Sequence, residues 1–215
     1  MSSTNRWEAD ELTELEHQYK PYFEKLNNSK WEKLSYNERK EVLQKVEEYE
    51  AKKTNRSPAA FQTRDGMPLA SRGYYSPSSN TITQNYQYTM ANSSEVSLKN
   101  VLHEGRHAYQ WDCVKNPQKH PEVDPKQIEE WKTNFENYIS ASKAEDKMQY
   151  YMQPVEQDAR SYADSEAEEY SKYQSQGESK HDMGRWEKVK ENNSHRTSTK
   201  TDTSSQNTGK THIKR

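Results

Sequence analysis

The sequence is short of the residues that usually build a hydrophobic core. Only 29% of its 215 residues are hydrophobic and three are phenylalanine. Mean hydropathy is -1.47, low for a chain folded along its whole length. The expectation is a modest core in the middle of the chain with poorly ordered ends. Cys113 is the single cysteine, which excludes an intrachain disulfide. No apolar run approaches the roughly 20 residues of a membrane-spanning helix, so no membrane span is expected. The opening MSSTNRWEADE has no signal-peptide core, so a cytoplasmic location is the default expectation, with export by a route needing no cleavable signal left open. Lys and Arg number 32 against 34 Asp and Glu. The basic excess of a dedicated nucleic-acid binder is missing, and no nucleic-acid partner is expected.

What is present is tyrosine. Fifteen tyrosines and five tryptophans outnumber the phenylalanines. A core built from them buries large rings whose hydroxyls each need a partner. Over residues 9–53, Leu12, Leu15, Tyr19 and Tyr22, then Val42, Leu43, Val46 and Tyr49, recur at helical steps, predicting two helical pieces. Ser35 followed by Glu38 fits a capping box at the start of the longer one. Residues 54–79 are punctuated by Ser57-Pro58, Asp65-Gly66, Pro68, Gly73 and Pro77, a loop-rich stretch. Gly73-Tyr74-Tyr75-Ser76 and the alternating segment 81–86, joined across Pro77-Ser78-Ser79-Asn80, predict a short hairpin. Asn92-Ser93-Ser94 offers N-caps for a helix running through about Trp111. Residues 116–125 read as a loop. Residues 127–142 read as a helix with Ile128, Trp131, Phe135 and Tyr138 on one stripe. Pro154 is suited to the first position of a further helix reaching about Tyr173. From about Lys188 the chain is rich in Ser, Thr, Asn and Lys, a composition that predicts a disordered basic tail.

One constellation carries chemistry: His103-Glu104-Gly105-Arg106-His107. On a helix, residues four apart project from one face, one turn apart. Two imidazoles so placed grip one metal ion, and imidazole is a preferred ligand of Zn2+. Glu104 stands beside the first ligand, where its carboxylate can take a proton from a metal-activated water as general base. The competing reading is two histidines on a salt-bridged helix surface. A catalytic zinc usually keeps three protein ligands and an open position. Glu156 is the favoured third ligand, in the first turn of the helix opened by Pro154, where a carboxylate suits the helix dipole. Asp158 and His120 compete with it. His120 is ranked lower, as a solvated loop histidine.

Strand-like text, then Val-Leu-His-Glu-Gly-Arg-His-Ala-Tyr-Gln, then Gln-Pro-Val-Glu-Gln-Asp-Ala-Arg resembles the zincin metallopeptidases with a glutamate third ligand. More narrowly, it is similar to small bacterial zincin-like proteins, some of which occur as toxin domains or on mobile elements. The resemblance covers residues 73–173. It implies zinc on His103, His107 and Glu156, Glu104 as general base, and a protein or peptide substrate. It also implies an α+β, mostly helical fold with a short antiparallel hairpin or sheet beside the motif helix. The expected organisation is an N-terminal helical region over 1–53, a zincin-like domain over 54–176 and a polar tail over 177–215. The family pattern has an aspartate four residues after the ligand glutamate, orienting a ligand histidine; here that position is Arg160, and the nearest acid is Asp158. Asp158, Arg160 and Tyr151 are candidates for supporting the ligands or the reaction's oxyanion, with Tyr150 and Tyr162 also in reach of that role. Segment 81–86 is the candidate edge strand for pairing an extended substrate. An inactive zinc-binding module and an effector peptidase acting on a foreign protein stand as alternatives. The sequence leaves the oligomeric state open.

Overall fold

The structure, a computed structural model, describes residues 9–174. The expected tail at 177–215 lies outside the described residues. The chain opens with α1 (Ala9–Phe23), a 3-10 turn, the short α2 (Asn28–Trp31) and α3 (Tyr36–Lys53). The capping box forms as expected: the Ser35 N–H donates to Glu38 Oε2 at 2.8 Å, and the Glu38 N–H to Ser35 Oγ at 3.4 Å.

Three strands follow, β1 (Ala60–Arg64), β2 (Gly73–Ser76) and β3 (Thr81–Asn85), in the order β1-β3-β2. β2 and β3 are the expected antiparallel hairpin, with Tyr74 opposite Thr83 and Tyr75 opposite Ile82. β1 adds to the other side of β3 in parallel, with Phe61 opposite Ile82. That pairing corrects one expectation: β3 is central, paired on both sides, so segment 81–86 is no edge. Tyr86 has left the strand and opens α4 (Tyr86–Thr89). The outer side of β1 is occupied by α3, where Gln44 accepts from the Phe61 N–H and donates to the Ala59 carbonyl.

The remaining elements are α5 (Glu95–Lys115), a 3-10 turn at Pro117–Lys119, α6 (Pro125–Glu136), α7 (Lys147–Tyr151) and α8 (Pro154–Gln174). α6 begins on an Asp124 cap with Pro125 at its first position and ends at Glu136, short of the expected 142. Tyr138 is therefore beyond the helix rather than on its stripe. Pro154 opens α8 as expected. Buried Ala159, Ala163 and Ala167 form a small-residue stripe at four-residue steps, allowing α8 close against its principal neighbour, α5.

The fold is thus α+β and mostly helical, with a small mixed sheet. Its core extends further than the middle of the chain. Leu15, Tyr19 and Phe23 of α1 and Val42, Leu43 and Val46 of α3 share one cluster with Leu98, Val101, Tyr170 and Tyr173. Among the described residues, those before and after position 53 share this core. Phe23 meets Tyr49 and Tyr170 edge-on, each at 5.0 Å between ring centroids, geometry worth about 0.5–1.5 kcal/mol per pair beyond buried area. The tyrosine hydroxyls are placed on carboxylates: Tyr162 and Tyr170 donate to Glu50, and Tyr173 donates to Glu16.

Candidate metal centre

α5 and α8 bring the predicted ligands together. His103 and His107 project from one face of α5, with their Nε2 atoms 3.2 Å apart. From the first turn of α8, Glu156 places Oε2 3.4 Å from His103 Nε2 and Oε1 3.5 Å from His107 Nε2. A tetrahedral zinc ion about 2.0–2.1 Å from each donor spaces those donors about 3.3–3.4 Å apart. The separations found here, taken to the nearer carboxylate oxygen of Glu156 in each case, are of that order, and one donor atom from each residue lies within 4.8 Å of the others. Among the described residues, this trio is the one group of histidine, cysteine or carboxylate side chains with metal-holding geometry. His107 and Glu156 are buried and His103 is partly buried. His120 and Asp158 are outside the trio.

The local electrostatics follow from that burial. Desolvation alone raises a carboxyl pKa, yet hydrogen bonds and charge from His103 and His107 hold Glu156 well below the usual carboxylate range. Glu104 goes the other way. It is 6% exposed, and burial pushes its carboxyl up despite the opposing histidines, with Glu156 adding to the rise. The Tyr75 backbone N–H donates to the Glu104 carboxylate, so β2 lies against the motif helix beside the glutamate. Burial would lower His107, but hydrogen bonding to Glu156 and the charges of Glu104 and Glu156 raise it.

Several supporting residues are not marked by spacing in the sequence. Gln110, one turn beyond His107, has Oε1 2.9 Å from His107 Nδ1. Its amide nitrogen donates to the Val155 carbonyl at 3.0 Å and to Asp158 Oδ2 at 2.6 Å. Asp158 is gripped by Arg106, with Nε on Oδ2 at 2.8 Å and Nη2 on Oδ1 at 3.0 Å. Asp158 therefore reaches His107 through Gln110 rather than directly. Tyr138, freed by the early end of α6, donates to Glu156 Oε1 at 2.6 Å, and its own hydroxyl is pushed well above the ordinary tyrosine value by burial and by Glu156. Arg160 holds Nη1 3.4 Å from Glu156 Oε2, donates to the Tyr151 carbonyl, and stacks 4.8 Å from the Tyr151 ring. The Tyr150 ring lies edge-on to Tyr138 at 6.5 Å, and burial, then the charge of Glu156, pushes its hydroxyl up. Tyr162 points elsewhere, to Glu50, and leaves the set of oxyanion candidates.

Two further sequence features find physical reasons. Gly105 is required by close approach, since a Cβ there would meet Glu47 Oε2 at 2.8 Å and Arg56 Nη2 at 3.2 Å. Those two side chains form a buried ion pair, at 2.5 and 2.9 Å, beneath the motif helix. His120 is a correction: it is buried, not solvated, with Nε2 2.8 Å from Asp112 Oδ2 and its ring edge-on to Tyr109.

Compared with described protein families, curated proteins and solved structures, the chain matches none.

Proposed function

We propose that the chain is a zinc-dependent peptidase of zincin type, in which His103, His107 and Glu156 hold the metal and Glu104 is the general base. The observation that supports this reading is the convergence of His103, His107 and Glu156, whose donor atoms lie within 4.8 Å of one another, with a buried carboxylate, Glu104, on the motif helix. Bound there, zinc would polarise the substrate carbonyl and lower the pKa of a water molecule in its open position. Glu104, on the motif helix, is placed to act as the base that would take a proton from such a water. Its raised affinity for protons brings it closer to the working range of a base that must later return the proton to the leaving amine. Tyr138, Tyr150 and Arg160 surround Glu156 and are the nearest donors for developing oxyanion charge, with Tyr151 ordering Arg160.

A peptide substrate is supported by the resemblance to zincins and by β2. Its inner side pairs with β3, and Tyr75 places its other side beside Glu104. An extended chain added along this edge would run past the base, with backbone hydrogen bonds giving affinity. The acceptor strand is thus β2, not segment 81–86. No helix among the described residues is long and apolar enough to cross a membrane.

A zinc-binding module without turnover is the second reading, favoured by the near-complete burial of Glu104. Replacement of Glu104 by Gln separates the two. The peptidase reading expects zinc to be retained and peptide hydrolysis lost; a wild-type protein that holds zinc yet digests nothing in an untargeted peptide library, with or without a chelator, supports the module.

A further inference from the structure

The unassigned feature closest to the metal centre is the buried chain of side chains behind His107. Each link has only one way to arrange its hydrogens. The Arg106 guanidinium can only donate, and it meets both oxygens of Asp158 at 2.8 and 3.0 Å. Asp158 is therefore an acceptor. Gln110 faces two acceptors, Asp158 Oδ2 at 2.6 Å and the Val155 carbonyl at 3.0 Å, so its amide nitrogen must lie on that side. The amide oxygen is then the atom 2.9 Å from His107 Nδ1. An amide oxygen can only accept, so Nδ1 carries the hydrogen, and in the neutral ring the lone pair lies on Nε2, the atom facing Glu156 and His103.

We propose that Gln110 is a positioning residue that fixes the His107 tautomer for metal binding and, through Val155, holds the Glu156 helix in register with the His107 helix. The inference rests on the zinc-site reading for its purpose, but its geometry belongs to the protein alone. Val155 precedes Glu156, so one buried side chain ties both ligand-bearing helices. The arrangement replaces a direct carboxylate on the histidine with a neutral amide. Asp158 keeps its charge one residue away, neutralised by Arg106, whose guanidinium also lies 4.6 Å from the Tyr109 ring and 4.7 Å from that of Tyr162. Arg106 is thereby fixed by aromatic packing, and the direction of the whole chain is set from its far end.

The test uses the full chain and two variants, Gln110→Met, which keeps volume without the hydrogen bonds, and Gln110→Glu, which keeps an acceptor oxygen for Nδ1–H. The nitrogen shifts of His107 in the metal-free protein report its tautomer, and competition with a chromophoric chelator reports zinc affinity. Expected are the Nδ1–H tautomer in the wild type and in Gln110→Glu, its loss in Gln110→Met, and zinc binding weakened about 10- to 100-fold in Gln110→Met, the range for residues that orient a metal-ligating histidine. A wild type with hydrogen on Nε2, or a folded Gln110→Met protein with unchanged tautomer and zinc affinity, overturns the proposal. A wild type with the Nδ1–H tautomer but no zinc affinity leaves the positioning geometry standing and removes the metallopeptidase reading instead.

Discussion

The two halves of α8 use the same side-chain chemistry to opposite ends. In its later turns Tyr162 and Tyr170 each donate to one oxygen of Glu50, and Lys53 lies 3.8 Å from the same carboxylate. Every strong acceptor there has a donor. In its first turns Tyr138 likewise donates to a buried glutamate, Glu156. Here two imidazole Nε2 atoms also face that carboxylate and each other, across 3.2 to 3.5 Å. A buried polar cluster that satisfies itself is structural. One in which imidazoles and a carboxylate converge has the residue types of a metal centre, which is the reading proposed for this end of α8. Burial and tyrosine hydrogen bonds do not separate the two cases; the pair of imidazoles facing Glu156 does.

That contrast can be broken at several places. The largest effect is expected from Glu104→Gln, which leaves the trio intact: zinc binding persists while peptide hydrolysis falls about 100- to 10,000-fold, the usual contribution of a general base. Steady-state kinetics on zinc-loaded protein checks it, and full activity in that variant ends the assignment. Glu156→Ala removes one member of the trio. Its zinc affinity should fall more than about 100-fold, beyond the range of residues that only orient a ligand, as read by chelator competition; unchanged affinity places the third ligand elsewhere.

A matched pair sharpens the comparison, because it removes the same atom from each half. Tyr170→Phe leaves a buried Glu50 oxygen without its donor and should cost about 1–3 kcal/mol of stability, measured by urea unfolding, with zinc affinity unchanged. Tyr138→Phe should do the reverse. Tyr138 is 41% exposed, so stability moves little, while zinc affinity falls about 10-fold as Glu156 loses its anchor. Equal behaviour of the two variants would erase the distinction between the halves.

The smallest effect is expected with alkali. Burial, then the charge of Glu50, pushes the hydroxyls of Tyr162 and Tyr170 well above the ordinary tyrosine value. These groups keep their protons in the folded state after the unfolded chain has lost them. Their contribution is complete below about pH 10, the unfolded value, and declines as pH rises beyond it. Urea midpoints should fall between pH 9 and pH 11; a flat profile contradicts the assignment.

The cluster of His103, His107 and Glu156 was legible in the sequence because each residue rests on local geometry. His103 and His107 lie one helical turn apart, and Pro154 marks the start of the helix that carries Glu156. Gln110 and Arg106 were not, since their roles depend on Asp158 and Val155, distant in sequence, and neither residue type has a spacing signature. β1 escaped notice because its five residues include a single buried one, Phe61, in a stretch rich in turn signals. Tyr138 was assigned to a helix stripe because the apolar period of α6 continues past the point where the helix ends. The burial of His120 has no local signal at all, being made by Asp112 and Tyr109 of a neighbouring helix.

The central claim, that the first turns of α8 and the motif helix form a metal centre, is tested most directly by the metal content of the purified full chain after exhaustive dialysis, with Glu156→Ala in parallel. The account predicts one zinc per wild-type chain and little in the variant. A wild-type chain without stoichiometric zinc, or a variant that retains it, contradicts the account.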